Sequence, residues 1–290
     1  MDDKITLLGV KGGPSLRKGS SMPTASVLRM DGKTMLIDAG VGATRSAVEA
    51  GVELLDIDVI FITHLHSDHI LDLGSLLYTA WTNGLRRVVP VYGPPGTQEF
   101  WSHFLRAMSF DHGIRMADEG RVDLADLVEF HEIGDDWTTD IGGIRVAALR
   151  VDHPPVTDCF ALRFDGSASS VCFSSDTCYF PPLGPFASGV DVLVHEAILI
   201  GGVEKVLQRT GGGDKMRAHL VGSHTEAVDV GRIATAAMVG TLVLHHMLPV
   251  DDPDFGDADW RNEVSKTWNG PLLIGKDGME IPLKTAASKV

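Results

Sequence analysis

The sequence predicts an α/β fold, and three observations carry that prediction. Strand-like runs alternate with helix-like runs in both halves of the chain, as layered sheets and helices require. At 290 residues, 44% hydrophobic and 22% charged, the chain can bury a large core without disulfides or a structural metal. Five strand-like runs are followed by side chains able to hold a metal ion, which places those side chains along one edge, where α/β folds build their sites.

The elements follow in order. Ile5 to Val10, Ala25 to Met30 and Lys33 to Ile37 read as strands. Asp31-Gly32 between the last two tolerates the positive φ of a two-residue hairpin. Val59 to Thr63 is a continuous β-branched and aromatic run, expected to be a buried strand. Ile70 to Trp81 carries Leu73, Leu76 and Leu77 at helical spacing, and residues 96–109 read as a second helix after Pro94-Pro95. Residues 110–126 are acidic and aperiodic and are expected to be a loop. The wider segment 103–126 is a candidate lid, with His103, Phe104, Phe110, His112 and Met116 as candidate lining and Trp137 beyond it. Strand-like runs resume at Leu127 to Ile133, Ile144 to Val151, Phe160 to Phe164, Val171 to Ser174 and Val190 to Val194. Ser223 with Glu226 three residues later reads as a capping box opening an alanine-rich helix. Thr241 to Leu244, Leu272 to Ile274 and Met279 to Pro282 close the chain as strands. No Pro/Gly/Ser-rich stretch resembles a linker, so one domain over 1–290 is expected.

Composition narrows the function classes. The 25 basic and 39 acidic residues leave a net charge of −14, which disfavours polyanions and anionic membranes. No apolar run is long enough to cross a bilayer, and the acidic start Met1-Asp2-Asp3-Lys4 is unlike a secretory signal. Three cysteines, Cys159, Cys172 and Cys178, make no disulfide framework and fit a reducing, cytoplasmic setting. Gly12 to Ser20 hints at a phosphate loop but lacks the Gly-Lys-Ser/Thr order, and Arg86-Arg87 is only a local basic pair.

The chemistry concentrates among twelve histidines. Thr63-His64-Leu65-His66-Ser67-Asp68-His69 packs four candidate ligands between a strand and a helix. His64 and His66, two apart, project to one side of an extended chain, and Asp68 and His69 fall at the helix start. Imidazole nitrogen with carboxylate oxygen suits zinc, and also manganese or iron. His153, Asp176, His195 with Glu196, and His245 with His246 each follow a further strand-like run.

His-x-His-x-Asp-His after a buried strand resembles the signature of the metallo-β-lactamase superfamily. Leu36-Ile37-Asp38-Ala39-Gly40, His153, Ser174-Ser175-Asp176-Thr177 and Leu244-His245-His246-Met247-Leu248-Pro249 resemble its later motifs in order, with Ser175 where glycine is more usual. Within the superfamily, Gly9 to Arg17, His195-Glu196-Ala197 and Ser223-His224-Thr225 resemble the ribonuclease Z and type III arylsulfatase branch.

The resemblance implies an αββα sandwich and two divalent metal ions, zinc first, with manganese or iron as alternatives. It implies that His64, His66 and His153 hold one ion, that Asp68, His69 and His246 hold the other, and that Asp176 bridges. His246 is preferred over His245 because the family ligand stands three residues before a proline. His224, Glu196 and Asp68 are the candidate catalytic residues. His224 is expected at the positive end of the capped helix, where it could meet a developing oxyanion or leaving group, with Glu196 orienting it. The implied activity is hydrolysis of a small-molecule ester: sulfate, phosphate, carboxylic ester or lactone. The alternatives are a ribonuclease Z-like nucleic-acid phosphodiesterase or a non-catalytic metal-binding member. The tRNA-processing enzymes of the branch carry a long arm between the third histidine and the bridging aspartate, and here 176 − 153 leaves 23 residues. With the charge of −14 this sets the expected partners: a small-molecule substrate, no nucleic acid, no membrane, a homodimer left open, and no cleavage of precursor tRNA.

Overall fold

Period-two alternation sorts the strands of the N-terminal half between two cores. In β1 (Lys4–Gly9), Ile5 and Leu7 join one core and Leu8 the other. The same split divides Leu28 from Val27 in β2 (Ala25–Met30), Met35 and Ile37 from Leu36 in β3 (Lys33–Ile37), and Val59 and Phe61 from Ile60 in β4 (Val59–Phe61). A sheet apolar on both faces must be covered on both, and that requirement sets the architecture.

The structure is a computed structural model and describes residues 2–285. Two seven-stranded mixed sheets pack face to face. The first adds β5 (Val89–Gly93) and β6 (Val128–Glu132) and is edged by β14 (Glu280–Pro282), in the order β14-β1-β2-β3-β4-β5-β6. The second is formed by β7 (Thr138–Ile141), β8 (Ile144–Arg150), β9 (Phe160–Asp165), β10 (Ser170–Phe173), β11 (Val192–Ile198), β12 (Thr241–Leu248) and β13 (Leu272–Ile274), in the order β13-β12-β11-β10-β9-β8-β7. Phe61 joins the sheets, stacked on Tyr92 at 5.2 Å and edge-on to Phe164 at 5.3 Å. Outside the first sheet lie α1 (Ala43–Glu49), the single turn α2 (Ser67–Ile70), α3 (Leu73–Thr82), α4 (Thr97–Ala107) and α5 (Ser109–Glu119). The C-terminal half adds α6 (Leu183–Phe186), α7 (Val203–Thr210), α8 (Asp214–Ser223), α9 (Ala227–Ala237) and α10 (Asp257–Val264). The expected αββα sandwich is what the chain forms. No helix among the described residues is long and apolar enough to cross a membrane.

Three local expectations change. Residues 109–119 are helical rather than a loop. None of their side chains is fully buried, so the apolar period is weak. The helix is held instead by Arg115, which pairs with Asp111 and Glu119 one turn either way, and by Tyr78, which donates to Asp111 at 2.6 Å. There is no Ser223–Glu226 capping box. Ser223 ends α8, its hydroxyl donating to the Pro154 carbonyl at 2.5 Å. His224 is extended, and Glu226 is the N-cap of α9 without a side-chain cap. Finally, β11 and β12 run several residues past Val194 and Leu244, so Glu196 and His246 lie inside strands.

Candidate metal centre

β3 and β4 run parallel, and the residues after their carboxyl ends meet at once. Asp38, in the left-handed region at φ 61°, accepts from the Thr63 amide at 2.8 Å and the Thr63 hydroxyl at 2.9 Å. It also accepts from His69 Nδ1 at 2.8 Å. That bond places a proton on Nδ1 and turns Nε2 toward the site, as second partners of metal-binding histidines do. His153 is fixed in the same way, with Nδ1 donating to the Ser223 carbonyl at 2.8 Å.

Four imidazole nitrogens converge on one carboxylate. Asp176 Oδ2 lies 3.1 Å from His246 Nε2, 3.3 Å from His69 Nε2, 3.8 Å from His64 Nε2 and 3.9 Å from His153 Nε2. Asp68 accepts from the Gly13 amide at 2.7 Å and stands 3.3 Å from His246 Nε2. Two of the three groups whose ligand atoms lie within 4.8 Å of one another among the described residues are His64, His66, His153 and Asp176, and Asp68, His69 and His246. These are the seven residues that the sequence motifs single out. His246 enters the cluster through a bulge. The register of β11 with β12 slips beside it, its φ is 43°, and His245 turns away to meet Ser26 Oγ at 3.4 Å. His195 points elsewhere, with Nδ1 on the Glu196 carbonyl at 2.6 Å.

The donor set fits divalent cations. His64 Nε2, His69 Nε2 and Asp176 Oδ1 are buried with no hydrogen-bond partner, an expensive arrangement for polar atoms unless a further group binds them. Burial holds His64 and His66 neutral, His66 down to about 4, so both present lone pairs. Burial also opposes charge on His246, yet Asp176 and Asp68 raise it to about 10, and the same carboxylates with Asp38 raise His69. The field of the site therefore favours positive charge. The thiols stay outside this chemistry. Burial pushes Cys172 up to about 12, and Cys159 is raised as well.

His224 sits beside the cluster. Its Nδ1 lies 3.3 Å from Glu196 Oε2, too poorly aligned to make a full hydrogen bond, and its ring stacks 5.4 Å from His246. Glu196 is itself fixed by the Thr177 and Thr225 amides at 3.1 and 3.0 Å. His224 also falls within ligand distance of Asp176 and His246. A cavity of about 410 Å³ opens over the cluster, polar on the side of His66, Asp68 and Asp176 and apolar where Val206, Met216, Leu220 and Leu248 face it. Its wall is built by α7 and α8, and no residue of 103–126 lines it. The sequence gives no sign of this wall, or of His219 in it, because α7 and α8 carry no motif and only the fold brings them over the site.

Residues 4–206 match the family model described as "Anti-Pycsar protein Apyc1". Ribonuclease Z of Mycolicibacterium gilvum is 33% identical over 280 residues, covering 94% of each chain. The chain belongs to the ribonuclease Z branch of the metallo-β-lactamase superfamily. Ribonuclease Z of Mycobacterium bovis is 32% identical over 94% of this chain and 96% of its own. Among solved structures, the metallo-β-lactamase fold protein YhfI of Bacillus subtilis superposes with a TM-score of 0.71 at 22% identity, covering 97% of this chain and 100% of its own. The short form of human tRNase Z superposes with a TM-score of 0.68 at 20% identity over 97% and 100%. At those identities the two structures establish the fold alone. As a member of the ribonuclease Z branch, the chain is a metal-dependent hydrolase of ester bonds.

One expectation is corrected by these relatives. A small-molecule substrate with no nucleic-acid partner, and no cleavage of precursor tRNA, were expected from the missing arm and the net charge. Relatives named Ribonuclease Z align almost end to end with this chain, so a short interval between His153 and Asp176 does not exclude that family's substrates. The interval is filled by β9 and β10. A net charge is a whole-surface average, and binding responds to the local field at the cleft.

Proposed function

We propose that the chain is a phosphodiesterase of the ribonuclease Z type, hydrolysing an RNA phosphodiester at a centre of two zinc ions. The observation that carries this reading is the 33% identity to a ribonuclease Z over 94% of both chains, with every ligand motif in place. In it, His64, His66 and His153 would hold one ion and Asp68, His69 and His246 the other, with Asp176 within reach of both groups. When bound, such ions lower the pKa of water toward about 7 and neutralise charge on phosphoryl oxygens. The chain's own groups do the rest. Asp38 and the Ser223 carbonyl fix the tautomers of His69 and His153. His224, backed by Glu196, faces the cavity and donates a proton to the leaving oxygen.

The test is cleavage of a precursor tRNA at its 3′ end by metal-loaded protein at physiological salt, with elemental analysis alongside. The expected result is about two zinc ions per chain, with activity that chelator abolishes and zinc restores. Metal-loaded protein that leaves RNA intact would overturn the reading.

A further inference from the structure

Lys11 lies in the loop after β1 and is only 3% exposed. Its Nζ is buried and meets no hydrogen-bond partner among the described residues. Burial and the nearby Arg17 hold its ammonium below the ordinary range, outweighing Asp251, Asp68 and Asp277, none of which makes an ion pair with it. Arg17 donates to the Val250 carbonyl at 3.2 Å and enters no ion pair among the described residues. A third cation, Arg209, pairs with Asp252. All three line one pocket of about 30 Å³, together with Ser15 and Thr210, and no carboxylate lines it. That volume is too small for a nucleobase but admits the oxygens of a single oxyanion. A buried ammonium beside a guanidinium, without a counter-ion, is costly, and an arriving anion removes the cost.

The pocket adjoins the metal centre. It shares Gly12, Ser15, Val206, Thr210 and Leu248 with the cavity over the cluster. Gly12 packs so closely on His246 that an added Cβ would sit 2.9 Å from Cε1, and the Gly13 amide donates to Asp68. Lys11 is two residues from that amide, at most about 7 Å of extended chain, which is comparable to one nucleotide step along a strand.

We propose that Lys11, Arg17 and Arg209 form a binding site for a non-reacting phosphate of the substrate, the one next to the scissile phosphodiester. This rests on the RNA-phosphodiesterase reading above. It also answers how so acidic a chain holds a polyanion: three cations line a pocket that adjoins the cleft.

Metal-loaded wild-type, Lys11→Met and Arg17→Gln proteins would be assayed on a ten-nucleotide RNA and on bis(p-nitrophenyl) phosphate, which has a single phosphate. Lys11→Met keeps the side-chain length without the charge, so folding is retained. Each variant is expected to lose at least tenfold more kcat/KM on RNA than on the single-phosphate ester. The slope of log KM against log salt on RNA should fall by about 0.7 for each charge removed. Equal losses on both substrates with an unchanged salt slope would overturn the inference while leaving the RNA reading intact. If wild type cleaves no RNA, that reading fails, and the pocket is tested by calorimetric titration with pyrophosphate. A binding event present in wild type and lost in Lys11→Met supports the site, and identical titrations overturn it.

Discussion

Asp176 and His224 stand within a few ångströms of each other, and the proposed function gives them different jobs. Four imidazole nitrogens lie within 3.9 Å of Asp176 Oδ2, so no other side chain replaces it. Asp176→Ala is expected to lose bound metal and activity together. His224 lies 3.3 Å from Glu196 behind it and, in the proposed arrangement, completes neither of the two ligand groups. His224→Ala is expected to keep its metal and lose roughly 10²- to 10³-fold in kcat, the usual cost of one donor to a developing negative charge. Glu196→Gln should show a smaller loss through poorer orientation. Turnover and elemental analysis on the three variants decide the matter. Metal loss in His224→Ala would make this histidine a ligand, consistent with its distance to Asp176 and His246.

At the scale of elements, the site depends on how closely the loops after the parallel strands can approach one another. Gly40, two residues past Asp38, brings the loop after β3 against the turn α2. A Cβ there would sit 2.3 Å from the Asp68 carbonyl oxygen and 2.8 Å from that of Thr24. Both obstacles are backbone, so neither can swing aside. Gly40→Ala is expected to cost about 1–3 kcal/mol of stability as α2 is pushed away, and to weaken metal affinity through Asp68 and His69. Thermal unfolding together with a zinc titration against a chelating indicator checks both effects. The bulge in β12 shows the same dependence. The extra residue is His246, which the register skips between His245 opposite Glu196 and Met247 opposite Ala197.

For the whole molecule, a metal ion at the proposed centre would link distant parts of the fold. The ligands come from both sheets and from segments 182 residues apart, His64 to His246, so a cation held among them ties the sandwich together. Metal in thousandfold excess over its Kd contributes about 4 kcal/mol. Chelation is accordingly expected to lower Tm by about 7 °C, measured by scanning calorimetry with and without a zinc back-titration. An unchanged Tm would mean that the fold does not use the metal.

The sequence by itself determined a great deal of this protein, because its signals are local. Period-two runs marked most strands within a residue or two, Asp31-Gly32 turned the hairpin, and the spacing of His64, His66, Asp68 and His69 declared a metal site. The later ligands could be found because each sits near the carboxyl end of a strand. What only the tertiary structure decided depends on groups far apart in the chain. The helix 109–119 is stabilised by ion pairs and by Tyr78 from α3, so no apolar period announces it. His224 left the helix start because Ser223 spends its hydroxyl on Pro154, 69 residues away, rather than on a cap. The apolar wall of α7 and α8 and the cations at Lys11, Arg17 and Arg209 became features of the site only when folding placed them beside the metal cluster. Net charge is a sum over the chain, whereas affinity for a polyanion is set by the field at one cleft, and a sum carries no positions.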